Sequence, residues 1–184
     1  RKKIDVDPRR IYLLGSSGGG HMALVMAAHA PELWAGVSAW VPITDLAAWH
    51  AESRRRGNRY AGMLEKCCGG APGDSPQVDA QYRVRSPLFS LAAAKGLAVD
   101  INAGIHDGHT GSVPVSHTLR AFNVLAAANG QPEKQLSDEQ IAAMVKNRRV
   151  PAELADERID EPERKHSVLF RRTAGPARVT IFDG

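Results

Sequence analysis

The chain has 184 residues, of which 43% are hydrophobic and 24% are charged, and its net charge is +4. This length suffices for one domain with a sizeable core, and the composition is ordinary for a globular protein. The positive charges are scattered with little aromatic interleaving, which favours a solvated face over a nucleic-acid site. No apolar run approaches the length of a membrane span.

The first element in the chain is predicted to be a strand that turns sharply into a helix. Residues 11–14 are apolar and partly β-branched, which predicts a buried strand, and apolar residues recur at helical spacing over 22–26. The turn between them has the sequence GSSGGG. Its G-x-S-x-G spacing places Gly15 and Gly19 two residues on either side of Ser17.

This turn predicts a serine nucleophile. A nucleophile on a strand-to-helix turn has a strained backbone, and we expect side chains at positions 15 and 19 to collide with the turn. The Ser17 hydroxyl would stand at the positive end of the helix, with the N–H of Gly18 aimed at a developing oxyanion. Two alternatives stay open. Ser17 could be a plain N-cap, or the turn could bind phosphate, although it lacks the Gly-Lys-Ser/Thr ending of a P-loop.

The middle of the chain predicts two further strands. Residues 34–41 and 99–104 are the strand candidates, and a short helix with Thr44 or Asp45 as N-cap follows the first of them. Residues 51–79 are rich in Arg, Gly and Pro without a clear period, which predicts a connection or a small excursion.

The last third of the chain predicts two helices and a strand pair. A helix is expected over 116–128, stopped by Asn-Gly, and a capping box at 137–140 opens a second one. Strands are expected at 167–170 and 179–182, on either side of a turn.

The pattern D-x-x-R-I-x-x-x-G-x-S-x-G-G, which runs from Asp7 to Gly20, resembles the catalytic domain of the prolyl oligopeptidase family. The resemblance covers residues 7–41 and 86–125. It implies an α/β-hydrolase fold with a mostly parallel, doubly wound sheet that is incomplete at both ends. Residues 1–184 would then be part of a catalytic domain, with a surface insertion at 131–172.

The resemblance also implies the acid of a catalytic triad. The family places this acid in a G-x-x-D loop after a core strand, shortly before Val-Pro. Residues 104–107 and 113–114 match this pattern, although the loop is longer than usual. Asp107 would accept the imidazole N–H and stabilise the imidazolium. The alternative is an Asx-turn, because Asp before Gly is a turn dipeptide.

The histidine base is expected outside the given residues. The histidines that follow Asp107 are each expected to be surface or turn residues: His109, His117 and His166. In the resembled family the base follows the next core strand, here 178–182. We therefore expect the histidine beyond Gly184 and an oxyanion loop before Asp7, and we expect the 184-residue chain alone to be inactive.

These features together predict a serine hydrolase that acts by acyl transfer. The resemblance implies a peptidase of prolyl oligopeptidase type that acts on peptides. The alternatives are a carboxylesterase or acetyl esterase on small esters, and a binding module that keeps the hydrolase fold without activity. We expect no cofactor and no metal, since the adjacent Cys67 and Cys68 have no nearby histidine. The cysteines leave the cellular compartment open.

Overall fold

A five-stranded sheet lies at the centre of the computed structural model, which describes residues 5–184. Its order is β1-β2-β3-β5-β4. The strands are β1 (Tyr12–Ser16), β2 (Gly36–Trp40), β3 (Val99–Gly104), β4 (Val168–Ala174) and β5 (Ala177–Phe182). The pairs β1·β2, β2·β3 and β3·β5 are parallel, and only the hairpin partner β4 runs antiparallel to β5. The predicted mostly parallel sheet is therefore confirmed.

Six α-helices accompany the sheet in the described part of the chain. They are α1 (Gly18–His29), α2 (Leu46–Arg55), α3 (Tyr60–Cys68), α4 (Pro76–Arg85), α5 (Val115–Ala128) and α6 (Asp138–Asn147). Within residues 5–184, none of the helices is both long and apolar enough to cross a membrane.

The helices α1 and α5 pack against one face of the sheet. Leu24 of α1 and Leu125 of α5 are fully buried and share one apolar cluster with Val37 and Ile101 of the strands. Burial of about 25 cal/mol per Å² of apolar surface makes such clusters the main stabilising contribution to the sheet. The parallel strands then present their carboxyl ends at one common edge, where open α/β sheets bind ligands.

Residues 51–79 form an excursion from the sheet rather than an irregular connection, because most of them belong to helices α2, α3 and α4. These short helices share an apolar cluster of their own, which contains Leu46, Leu64 and Tyr82. Helices of about ten residues are marginal alone and are stabilised by tertiary packing. Their buried faces include polar side chains, such as His50 and Ser53 of α2, so the helical period is not visible from the apolar residues alone. Asp45, rather than Thr44, caps α2, since its carboxylate accepts the N–H groups of Ala47 and Ala48 at 3.0 and 3.1 Å.

The other predicted elements lie where the sequence places them, with small shifts at their ends. The first strand runs from Tyr12 to Ser16 rather than over 11–14, because its parallel pairing with β2 continues to the Ser16–Trp40 pair. The expectation that it is buried is wrong, since β1 lies at the edge of the described sheet with Tyr12 and Leu14 exposed. The capping box of α6 is present in full, with Ser137 and Gln140 each bonding the other's backbone N–H. The strand β3 has the predicted bounds.

Candidate active site

Ser17 lies in a strained turn between β1 and α1. Its backbone has φ 54° and ψ −119°, a region that non-glycine residues rarely occupy. The turn is held by two bonds, from the Ser17 N–H to Trp40 O at 2.8 Å and from the His21 N–H to Ser17 O at 2.9 Å. Strain of this kind persists only where the surrounding structure enforces it, and it clusters at functional sites.

The serine is not a plain N-cap. Its side chain makes no capping hydrogen bond, and its positive φ differs from the extended conformation that a capping serine adopts. The hydroxyl is therefore not engaged by the helix that follows. Gly18 is the first residue of α1, so its N–H lies among those that the intrahelical bonds leave unpaired. The turn thus brings a hydroxyl, an N–H group and the positive end of a helix together.

The two glycines that flank Ser17 differ in what they do. A Cβ at Gly15 would lie 2.1 Å from the carbonyl oxygen of Gly19, so no side chain fits at position 15. The expectation for Gly19 is wrong, because a Cβ there would meet no atom within 4 Å. The second tight position is Gly20, whose Cβ would lie 2.7 Å from Trp40 O. The phase of α1 turns Gly20 toward β2 and Gly19 toward open space.

Asp107 lies on the loop after β3, with its carboxylate held by the strand that precedes it. Its Oδ2 accepts the N–H of Gly104 at 2.7 Å. This bond reaches back three residues, whereas an Asx-turn would bond forward to His109, whose N–H bonds the carbonyl of His106 instead. Burial raises the pKa of Asp107 above its usual range, while the Gly104 N–H and the nearby His106 oppose this shift.

Ser17 and Asp107 follow strands that are two positions apart in the sheet. The strand between them, β2, ends at Trp40, whose ring stacks on Phe182 with 5.5 Å between the ring centroids. Two inter-strand spacings correspond to roughly 10 Å. A cavity of about 460 Å³ opens beside this stack, and its walls include Trp40, Asp107, Phe182 and Gly184.

No histidine among residues 5–184 is hydrogen-bonded to the Ser17 hydroxyl. His109 bonds the carbonyl of Val145 at 2.6 Å, and His166 bonds the carbonyl of Asp183 at 2.7 Å. The expectation of a surface or turn residue is wrong for the third histidine after Asp107, because His117 is buried in α5, with 4% of its surface exposed, and lies in a network of its own.

The network of His117 ties α5 to the start of α2. Its Nδ1 accepts the N–H of Thr44 at 3.0 Å, and its Nε2 lies 3.1 Å from Oε2 of Glu52. Because Nδ1 accepts a backbone N–H, the ring proton is on Nε2 and is donated to the carboxylate. His117 is thus fully engaged in holding these helices together.

A second cavity, of about 530 Å³, opens beside Ser17 and is mainly apolar. Most of its wall comes from α1 and from the helices α2–α4, with apolar side chains such as Met22, Leu46, Trp49 and Met63. His21 is a half-buried polar group in this wall, and its Nδ1 donates to Ile43 O at 2.8 Å. Burial lowers the pKa of His21, which the bond to Ile43 partly offsets.

These cavity residues carry little signal in the sequence. His21 follows Ser17 by four residues, and its N–H bonds the Ser17 carbonyl across the first turn of α1, so this spacing was the available signal. No comparable signal marked the residues of α2 and α3, because their place in the wall depends on tertiary packing.

Within the described residues, no three His, Cys, Asp or Glu side chains cluster closely enough to hold a metal ion.

Similar structures share this architecture. Acylaminoacyl peptidase of Pyrococcus horikoshii in its orthorhombic crystal form has a TM-score of 0.54 and 22% identity over 68% of this chain. The uncomplexed enzyme from the same organism has a TM-score of 0.53 and 23% identity over 66% of this chain. An acylaminoacyl peptidase in complex with Z-Gly-Gly-Phe-chloromethyl ketone has a TM-score of 0.54 and 22% identity, again over 68%. The chain spans 18% of the length of each of these three structures.

The likeness to these α/β-hydrolase peptidases establishes the fold. A comparison with curated proteins finds no match. The family model of the prolyl oligopeptidase family matches residues 1–144, which include both Ser17 and Asp107. The chain therefore belongs to the prolyl oligopeptidase family.

Proposed function

We propose that the protein is a serine hydrolase, a peptidase of prolyl oligopeptidase type, with Ser17 as its nucleophile. The observation that carries the proposal is the strained, uncapped Ser17 at the start of α1, at the same sheet edge as Asp107. Membership of the family supports the reaction class.

The reaction would be acyl transfer in two steps. Ser17 Oγ attacks the substrate carbonyl while a histidine takes its proton, and the N–H of Gly18 donates to the oxyanion. The same histidine then protonates the leaving group, and water releases the acyl group from the serine. Asp107 accepts the other imidazole N–H, which fixes the tautomer and stabilises the imidazolium.

We place the histidine on the segment that follows Gly184. The carbonyl of Gly184 accepts the N–H of His106 at 3.3 Å, so the chain leaves β5 directly beside Asp107. A histidine here would start beside the carboxylate of Asp107, and Ser17 lies two strands beyond Asp107 in the same direction, so the segment would have to turn back over the ends of β3 and β2 to place the ring between them. An imidazole with a hydrogen bond at each end spans a gap of this order.

The 530 Å³ cavity beside Ser17 indicates the kind of group that the substrate carries next to its reacting carbonyl. Its mainly apolar wall favours a hydrophobic side chain, because burying such a side chain stabilises the bound state by about 1.5–3 kcal/mol. The chloromethyl ketone in the similar acylaminoacyl peptidase ends in Phe, which suits a first choice of peptide substrate.

The test is activity-based labelling of the full-length protein that carries this chain. A fluorophosphonate probe should label Ser17, because only an activated serine reacts with it quickly. Ser17→Ala should abolish both labelling and hydrolysis. Ser16→Ala is the matched control, since Ser16 is the exposed neighbour in β1, and it should keep both. Labelling that survives Ser17→Ala would refute the assignment, and an unlabelled, inactive wild type would favour the binding module.

The esterase alternative uses the same proposed machinery, and the apolar cavity suits an acyl chain as well as a side chain. The two activities can be distinguished by comparing kcat/KM for amide and ester substrates. A peptidase should turn over amides of short peptides that end in Phe, Ala or Pro, whereas an esterase should hydrolyse only short acyl esters at a useful rate.

A further inference from the structure

His166 holds the backbone at the end of β5. Its Nδ1 lies 2.7 Å from the carbonyl oxygen of Asp183. The neighbouring Ser167 accepts the Asp183 N–H through its own carbonyl at 2.9 Å. Both polar groups of the Asp183 backbone are therefore bonded to the short segment 166–167, which leads into β4.

The backbone of Asp183 and Gly184 contacts the loop that carries Asp107. The N–H of His106 donates to Gly184 O at 3.3 Å. A Cβ on Gly104 would lie only 1.9 Å from the same oxygen, so the two backbones meet at a distance that only glycine allows at position 104. The N–H of that same Gly104 bonds the Asp107 carboxylate at 2.7 Å. A continuous chain of contacts thus runs from His166 to Asp107.

We propose that His166 is a positioning residue for the triad. By holding Asp183 and Gly184 against Gly104, it sets the distance between the Asp107 carboxylate and the histidine that follows Gly184. This inference rests on the proposed function, because it needs the base to lie on that segment. His166 itself makes no contact with Ser17 and takes no part in proton transfer.

The acceptor in the bond between His166 and Asp183 determines which nitrogen of the His166 ring carries the proton. A carbonyl oxygen only accepts, so Nδ1 carries the proton, and the bond persists whether the ring is neutral or protonated. Gly184 also packs on the ring, since a Cβ there would lie 3.1 Å from Nδ1. Asparagine can place its amide N–H close to the position of Nδ1, whereas the longer glutamine places it near Nε2. The two amides therefore separate the position of the donor from polarity alone.

The experiment measures kcat, KM and the rate of fluorophosphonate labelling in the full-length protein for four variants. His166→Leu and His166→Gln should lower kcat and the labelling rate about 10- to 100-fold with KM within about twofold, since a displacement of about 1 Å at an active site can cost 10²-fold. His166→Asn should restore most of the rate. His29→Leu is the control, because His29 is exposed at the far end of α1, about 18 Å along the helix axis from Ser17.

The outcomes separate the inference from the function on which it rests. Wild-type kcat in His166→Leu and His166→Gln would overturn the inference and leave the nucleophile assignment intact. Equal losses in the Leu, Gln and Asn variants would also overturn it, because they would show a need for the imidazole itself rather than for a donor at the Nδ1 position. A wild-type protein without Ser17-dependent turnover would overturn the proposed function together with this inference.

Discussion

The two glycines that flank Ser17 make a matched pair of substitutions. In Gly15→Ala the new methyl group would lie 2.1 Å from Gly19 O and 2.3 Å from Gly19 C, both backbone atoms. These atoms would have to move by about 1 Å, because real Cβ contacts essentially never fall below 3.0 Å. Gly19→Ala adds the same methyl group where no atom lies within 4 Å.

We expect opposite effects on the free energy of unfolding. Forcing a methyl group into backbone costs about 3 kcal/mol, at the upper end of the usual range for overpacking. In a domain of this size, that loss lowers Tm by about 6–12 °C. Gly19→Ala should raise the stability by up to about 1 kcal/mol, because alanine is the better helix former and restricts the unfolded chain. Its Tm should therefore rise by about 2–4 °C.

The Tm values of the two variants can be compared by thermal unfolding followed by circular dichroism. The fluorophosphonate labelling rate is measured on the same samples. Gly15→Ala should lose labelling along with stability, since the turn that presents Ser17 must deform. A Tm for Gly19→Ala that falls as far as that of Gly15→Ala would refute the steric argument. It would show that position 19 is packed, contrary to the open space found there.

Three further predictions concern the loop acid, the buried histidine and an ion pair. Asp107→Asn should lower kcat by about 10⁴, measured with a peptide amide, and an unchanged kcat would remove Asp107 from the triad. His117→Leu leaves the buried N–H of Thr44 without an acceptor, which lowers the free energy of unfolding by about 1–3 kcal/mol. Tm should therefore fall by at least about 2 °C, and an unchanged Tm would contradict this role of His117. Arg171 and then Arg164 lower the pKa of Glu161 from 4.5 to about 2, so the stability from this carboxylate is present above pH 4.5 and is lost as the pH falls toward 2. Tm measured across this range should fall less steeply in Glu161→Gln than in the wild type, and identical slopes would exclude the ion pair as a contributor.

Local signals in the sequence were sufficient for the central part of the fold. The turn around Ser17 could be predicted because the glycine spacing, the strand before it and the helix after it act over neighbouring residues. The capping box at Ser137 is equally local, as its two bonds join residues three apart. The bounds of β3 follow from its sequence VDINAG, which places an apolar or small residue at every second position, as is typical of a strand.

Features that depend on distant contacts could not be predicted in this way. His117 owes its role to Thr44, which lies 73 residues earlier in the chain. The difference between Gly19 and Gly20 depends on the rotation of α1 against β2, which the spacing of glycines does not specify. The helices of residues 46–85 draw their stability from one another, and their buried faces include polar side chains such as His50 and Ser53, which the spacing of apolar residues does not reveal.

The way these helices join the sheet bears on how such a protein can change over evolutionary time. The segment enters and leaves the sheet at adjacent points, because Leu46 N–H bonds Ser86 Oγ at 2.8 Å and Leu88 N–H bonds Thr44 O at 3.0 Å. The strands on either side, β2 and β3, pair with each other directly. Inserts whose ends lie close together are the ones that proteins exchange most readily. A descendant could therefore acquire a different cavity wall through replacement of this one stretch, while the strands that carry Ser17 and Asp107 pass on unaltered.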